Sequence, residues 1–306
     1  MSAQNTRVLP EGPEAIAEAA RLILAGQPVA MPTETVYGLA ADAGNGEAVA
    51  RIYEAKGRPS FNPLIVHVRN AAQAAEITDF GEDAEILAAR YWPGPLTLVL
   101  PLREGAPVAS LVTAGLRSVA IRSPAHPAMQ ALLAATGRPL AAPSANASGR
   151  ISPTRAEHVL ASLGGRIPLI VDAGPTAHGL ESTIVALTGG PPRLLRPGPI
   201  DLGLDMAGGA GIEAPGQLRS HYAPSKRLRL NAAQAGADEW LIGFGPVAGN
   251  ATLSASGDLL EAAANLFGML HEAEASSASG IAVAPVPDDG LGAAINDRLR
   301  RAAAPL

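Results

Sequence analysis

The sequence predicts an α/β protein: a twisted, mixed sheet, then a linker and a second, smaller α/β unit. Three observations carry this. Short apolar runs bounded by glycine and proline recur over the first 200 residues, alternating with helical segments at first and then clustering. Residues 201–227, DLGLDMAGGAGIEAPGQLRSHYAPSKR, lose that periodicity and are rich in glycine and proline, as a linker would be. Beyond them a shorter strand–helix pattern resumes. The expected organisation is a larger α/β domain over 1–200, a linker over 201–227 and a small domain over 228–306.

In order, residues 14–25 have helical composition after a proline turn, and PVAM (28–31) reads as a short strand. PTETVYGLAADA (32–43) reads as a loop. Residues 46–55 look helical until KGRPSFNP (56–63) breaks the helix ahead of the strand LIVHV (64–68). Helices near 71–77 and 82–91 lead to WPGP and the strand LTLVL (96–100). SVAIR (118–122), PLAA (139–142), PLIV (168–171) and STIVAL (182–187) are further strands, with helices over HPAMQALLAAT and near 154–163, the latter with Thr154 as a candidate N-cap. After the linker come RLRL, WLIGF, a helix near 258–274, GIAVA and a helix near 291–303.

Composition narrows the function. Hydrophobic residues make up 47% of the 306 but aromatics only 3%, so alanine, leucine and valine must build the interior. No cysteine is present, which excludes disulfides, thiolate metal sites and cysteine nucleophiles. His67, His126, His158, His178, His221 and His271 are scattered without metal-site spacing, so no protein metal site is expected. No apolar run reaches the ~18 residues of a membrane helix, and no secretory signal pattern opens the chain. A cytoplasmic protein with no membrane contact is expected. The net charge of −5 is uneven: the acidity lies beyond residue 230, which leaves a basic pocket open to the first two thirds.

The chemistry-bearing residues sit at strand ends. Lys56 is one of only two lysines, and it stands two residues from Arg58 on a proline-held turn with Asn62, a set suited to a polyphosphate or a carboxylate. Alone, the pair equally fits a solvated basic turn. His67 interrupts an apolar strand, where a satisfied core histidine is the commoner case. PLAAPSANASGRISPT places Ser144, Asn146, Ser148 and Ser152 among small residues after a strand, where backbone and hydroxyls can approach phosphate. Arg122 follows a buried strand; Glu181, Ser182 and Thr183 open another; Arg196 precedes Pro197. Such ends converging in one sheet build ligand clefts. No phosphate-loop, nucleophile-elbow or paired-acid motif is present, and GFGPVAG (243–249) has the wrong spacing for a dinucleotide turn.

PTETVYGLAADA, KGRPSFNPLIVHV, WPGPLTLVL, VAIRSP, APSANASGRISPT, DAGPTAHGLESTIVAL, LRPGPI and SHYAP together resemble the threonylcarbamoyl-adenylate synthase family. The first two thirds look like its YrdC-like domain with a concave cleft. The rest looks like the long form, with a linker and a small Rossmann-like domain seen mainly in INDRLRRAA (295–303). The resemblance implies condensation of L-threonine, bicarbonate and ATP into threonylcarbamoyl-AMP and pyrophosphate. A tRNA threonylcarbamoyl transferase would act downstream, and a weak tRNA contact is implied. By motif, Thr35, His67, Arg122, Ala142 and Ser182 would hold threonine, while Arg58, Asn62, Ser118, Ser144, Ser152, Arg196 and Tyr222 would hold ATP. Lys56 and Asn146 would stabilise the phosphates, Lys56 as a compact, mobile charge on a turn outside the core. Magnesium would travel with ATP, since the motifs offer few carboxylates. Two rivals are an RNA-binding module using the same basic cleft, opposed by the negative charge and few aromatics, and a carbamoyl-transfer maturation enzyme, whose extra zinc-finger regions need cysteine.

Overall fold

The apolar runs of the first 200 residues hydrogen-bond into one ten-stranded sheet, in a computed structural model that describes residues 5–208 and 211–305. Positions 209 and 210 of the expected linker, and the outermost residues of the two expected domains (1–4 and 306), lie outside the described residues. The strands are β1 (Arg7–Pro10), β2 (Val29–Met31), β3 (Gly38–Asp42), β4 (Ile65–His67), β5 (Leu96–Pro101), β6 (Ser118–Arg122), β7 (Leu140–Ala141), β8 (Leu169–Asp172), β9 (Thr183–Ala186) and β10 (Arg193–Arg196). Their spatial order is β1-β8-β2-β3-β7-β4-β6-β5-β9-β10. The sheet is mixed: β1/β8, β2/β8, β4/β6 and β5/β9 pair in parallel, and the other five pairings are antiparallel. The connecting helices are α1 (Pro13–Leu24), α2 (Gly46–Lys56), α3 (Ala71–Ile77), α4 (Glu82–Tyr91), α5 (Ser110–Thr113), α6 (Pro127–Thr136) and α7 (Ala156–Leu163).

Local chemistry sets these boundaries. α2 begins where the Asn45 side chain accepts from the backbone N–H groups of Glu47 and Ala48, and it ends at Gly57, whose φ of 59° is the left-handed cap that glycine adopts freely. That cap turns the chain out of the helix at the KGR sequence. α7 starts later than expected. Its N-cap is Arg155, which makes no side-chain cap bond, and Thr154 instead directs its backbone N–H to His158 Nδ1 at 3.3 Å. The expected loop at PTETVYGLAADA holds β3. Glycine and alanine disfavour strands in isolation, but GLAAD is paired on both edges and almost wholly buried, so tertiary context overrides propensity.

Helices cover both faces of the sheet. Ala19 and Ile23 of α1 and Met129 and Leu133 of α6 pack on Val29 and Leu169, while Val49, Ile52, Val159 and Leu163 of α2 and α7 pack on Leu39 and Ile170. The second sheet contains β11 (Arg227–Arg229), β12 (Glu239–Gly243), β13 (Ala251–Thr252) and β14 (Gly280–Val283), all parallel in the order β11-β14-β12-β13. It packs with α8 (Leu259–Ala275) and α9 (Leu291–Ala302).

The two units share a core. Leu266, Phe267 and Leu270 of α8 and Leu299 of α9 form one apolar cluster with Val36, Ile151 and Leu180 of the first unit and Tyr222 of the linker. Gly179 lies at this seam with φ +68°, and a Cβ there would stand 2.4 Å from the carbonyl oxygen of Ala263 on α8. Gly179→Ala therefore meets both a left-handed backbone and immovable main chain. It is expected to destabilise the protein by roughly 1–3 kcal/mol, read as a lowered urea midpoint, whereas Gly57→Ala, with open space around it, should lose only the smaller αL cost.

Candidate active site

β4 and β6 run side by side with His67 opposite Arg122 and Ile65 opposite Ala120. Side chains two apart on a strand share a face, so Ile65 and His67 line up beside Ser118, Ala120 and Arg122. A pocket opens on this face, lined among others by Thr35, Arg58, His67, Arg122, Ala142, Ser144, Ser182, Arg196 and Tyr222.

At one end, Arg122 is buried and held on three sides. Nε donates to Gly94 O at 3.1 Å, Nη1 to Thr35 Oγ1 at 2.9 Å and Nη2 to Glu34 Oε1 at 2.6 Å. Burial works to raise the Glu34 pKa, but the Arg122 charge and hydrogen bond outweigh it and hold the carboxyl at about 2. His67 is pushed down to about 3 by burial and by Arg122, so its imidazole is neutral at neutral pH.

The KxR pair departs from expectation. Lys56 is 3% exposed, ends α2, and donates through Nζ to the carbonyl oxygens of Ser144 (2.6 Å) and Asn146 (2.5 Å). It is neither mobile nor outside the core. Burial, then the Arg58 charge, pushes its pKa well below the ordinary ammonium range. Removing it would strand the Asn146 carbonyl, at about 1–3 kcal/mol if it stays dry, and take from Ser144 O the second of its two donors, the first being Asn146 N. Arg58 is also buried, and it donates to Asn62 Oδ1 at 2.7 Å, Asn62 O at 3.0 Å and Pro63 O at 2.7 Å. The turn itself reaches solvent at Ser60 and Phe61, but its two cations do not: the serine-rich loop closes over Lys56, and Arg58 folds back on its own turn.

Across the pocket, Arg196 donates to Ser182 O and Ser182 Oγ at 3.0 and 3.1 Å, and Ser182 Oγ also lies 2.7 Å from Thr97 Oγ1. The linker forms the roof. His221 and Tyr222 are buried with rings 4.2 Å apart, and Tyr222 takes a left-handed φ of 61°. Ala214 is fully buried in an apolar cluster with Ile65, Val99, Ala120, Ile184, Ala186 and Leu195, so the linker lies on the sheet face itself. With it in place the free cavity is only about 40 Å³, room for a few waters. Among the described residues, buried polar atoms without a protein partner gather here: Glu34 Oε2, His67 Nδ1, His221 Nδ1 and Tyr222 Oη, with Asn62 Nδ2 and Asn146 Oδ1 on the adjoining loops.

Of the residues singled out from sequence, Thr35, Arg58, His67, Arg122, Ala142, Ser144, Ser182, Arg196 and Tyr222 line one pocket. Lys56, Asn62, Asn146 and Ser152 stand directly behind it, Lys56 and Asn62 bonded to loop and arginine, Asn146 donating to Arg150 O, and Ser152 donating to Glu181. Ser118 is outside the pocket lining. It lies four residues along β6 from Arg122, beyond Ala120, on which the linker cluster rests. Sequence reasoning missed Glu34 as a buried partner of Arg122, though it sits in the quoted PTET. It also missed Arg298, which donates through Nε to Glu181 Oε2 at 2.8 Å.

Residues 21–198 match the family profile described as Telomere recombination, and residues 198–304 that of Threonylcarbamoyl-AMP synthase, C-terminal domain. The threonylcarbamoyl-AMP synthase of Bacillus subtilis is 42% identical over 322 residues, spanning 94% of this chain and 92% of its own. That of Pyrococcus abyssi is 40% identical over 316 residues, spanning 93% and 92%. The crystal structure of Pyrococcus abyssi Sua5 complexed with L-threonine is 38% identical and superposes with a TM-score of 0.87 over 97% of this chain and 96% of that one. A variant of the same protein with a histidine and the following tyrosine replaced by alanine gives 0.88 at 36% identity over the same shares.

The Glu34–Arg122 pair has a pH signature. A carboxyl lowered from 4.5 to about 2 adds stability that is full above pH 4.5 and is lost as pH falls through about 2. Wild type should thus exceed Glu34→Gln at about pH 6 by up to about 3 kcal/mol from this group, and the gap should shrink at about pH 3, measured by urea unfolding. A gap independent of pH would show that the carboxylate charge is not what matters.

Proposed function

The chain belongs to the threonylcarbamoyl-AMP synthase family, and from that premise we propose how its cleft condenses L-threonine, bicarbonate and ATP into threonylcarbamoyl-AMP with release of pyrophosphate. The observation that carries the reading is one sheet face with an arginine suited to an amino-acid carboxylate at one end, two further arginines beside it, and a roof laid over them.

Arg122 has five N–H groups, and three are taken by Gly94, Thr35 and Glu34. The remaining two suit the carboxylate of threonine, with Thr35 and Ser182 hydroxyls nearby and neutral His67 opposite. The threonine amine, once deprotonated, adds to the carbon of bicarbonate; water leaves and a carbamate remains. A carbamate oxygen then attacks the α-phosphorus of ATP, the bond to the bridging oxygen breaks, and pyrophosphate departs. No covalent enzyme intermediate is needed. Arg58 and Arg196 neutralise charge as it shifts toward the leaving phosphates, with Lys56 ordering the Ser144–Asn146 loop beside them, so catalysis rests on positioning and electrostatic stabilisation. Glu34 and Glu181 are each held by an arginine, so magnesium would be held by the phosphates of ATP.

The product is a labile mixed anhydride, and the linker is the part that shields it. With Ala214 on the sheet face and His221 and Tyr222 in the pocket, a nucleotide enters only if this segment lifts, and it closes again over the bound intermediate. A cytoplasmic tRNA threonylcarbamoyl transferase would then accept the threonylcarbamoyl group. The motif cations Lys56, Arg58, Arg122 and Arg196 are buried in and behind an enclosed pocket, which disfavours their use as an RNA-binding surface. Among the described residues no helix is long and apolar enough to cross a membrane.

Pyrophosphate release should require threonine and bicarbonate together, with AMP as the nucleotide end product once the adenylate decays. ADP and orthophosphate would instead sink the nucleotidyl-transfer reading. For the linker, Arg219 is exposed while the Lys226 ammonium is bonded to Ala273 O and Ser276 O, so trypsin should cut first after Arg219. That cleavage should slow several-fold with ATP and threonine bound, the scale of a ligand-stabilised closed state. Equal cleavage with and without ligands would reduce the segment to a tether.

A further inference from the structure

Among the described residues Arg298 is the largest fully buried side chain, and it belongs to α9 of the second unit, not to the sheet that carries the pocket. Its guanidinium reaches across the seam. Nε donates to Glu181 Oε2 at 2.8 Å, Nη2 approaches Glu181 O at 3.4 Å, and Nη1 is held by Asp297 at 2.9 Å. Its other face lies over the ring of Tyr222, 5.3 Å from the centroid. Glu181 in turn takes the hydroxyl of Ser152 on its second oxygen. One arginine thus fixes a pocket-wall carboxylate, the serine behind it and the roof tyrosine. The end of α9 and the residues just past it grip the same roof: Arg301 Nη1 donates to Leu218 O at 2.7 Å, His221 N donates to Arg301 O at 3.2 Å, and Ser220 Oγ donates to Ala304 O at 3.3 Å.

We propose that Arg298 is a positioning residue for the nucleotide half of the site, acting through Glu181 on Ser152 and through its face on Tyr222. This rests on the reading that Ser152 and Tyr222 belong to the ATP side. A side chain that served only to join two domains would need neither the carboxylate that orders Ser152 nor the ring that roofs the pocket. Of the threonine end, Arg122, Thr35 and His67 make no contact with α9 in this network, and Ser182 is reached only through the main chain of its neighbour Glu181, so the larger effect of Arg298 should fall on ATP.

The test is titration calorimetry of the full chain with ATP and, separately, with L-threonine, which reads affinity independently of turnover. Arg298→Met should weaken ATP binding by about tenfold or more and threonine binding by less than about twofold. Adding Glu181→Gln should recover part of the ATP affinity, because it removes the unpaired buried carboxylate that Arg298→Met leaves behind. If Arg298→Met does not fold, Arg298→Lys decides: it keeps the charge but loses the planar fork, and should weaken ATP by about threefold or more, again sparing threonine. A role confined to joining the domains would lower the folded fraction and leave both affinities of the folded protein unchanged. That outcome, or equal loss for both ligands, overturns the proposal. Intact ATP binding without pyrophosphate release in the wild type would overturn the synthase reading alone and leave this one standing on its affinities.

Discussion

The structure depends on an imbalance of buried charge. Lys56, Arg58, Arg122, Arg196 and Arg298 are all at most 8% exposed, and the only acidic side chains buried to the same degree among the described residues are Glu34 and Glu181. Ionised groups out of water are tolerated only when paired or richly hydrogen-bonded. Here the carboxylates satisfy one arginine each, and backbone carbonyls of Ser144, Asn146, Asn62, Pro63 and Ser182 do most of the remainder. The consequence is a pocket that keeps excess positive charge while no single cation is left dry and bare. His221 records the field: burial first, then Arg58, Lys56, Arg196 and Arg298, drives its imidazole well below its ordinary range.

This arrangement explains why loops, not strands, carry most of the site. Carbonyl oxygens in a sheet ladder point along the sheet at the neighbouring strand, whereas those of Ser144, Asn146, Asn62 and Pro63, on turns, are directed inward at the cations. The sheet supplies the floor and its spacing. The two glutamates set the arginines' orientation, leaving the outward N–H groups of Arg122 free for a ligand.

Much of this was legible in the sequence, and the failures have physical causes. LIVHV, LTLVL and SVAIR are β-branched runs between turn signals, and they form β4, β5 and β6 within a residue of the expected limits. GLAAD has no such signal; only pairing on both edges makes it β3. The convergence of strand-end polar residues followed from α/β geometry, but the burial of Lys56 did not, because it requires a loop 88 residues away in sequence to close over it. Arg298 was hidden for the same reason. On α9 it reads as one arginine among three in a basic helix end, and only the shared core of Leu180, Tyr222 and Phe267 brings it against Glu181. The linker's glycines and prolines did mark irregular backbone, but irregular does not mean exposed, as Ala214 and Tyr222 show.

The roof is continuous with the chain at both ends: β10 closes at Arg196 before it, and β11 opens at Arg227 after it. The closure proposed for it is therefore a one-molecule event. The docking partner, α9, waits at a local concentration that covalent connection puts on the order of millimolar, whatever the dilution of the protein. Shutting the chamber should then keep pace at any expression level, with no dependence on encounter. The same connection limits how far the proposed lid could swing.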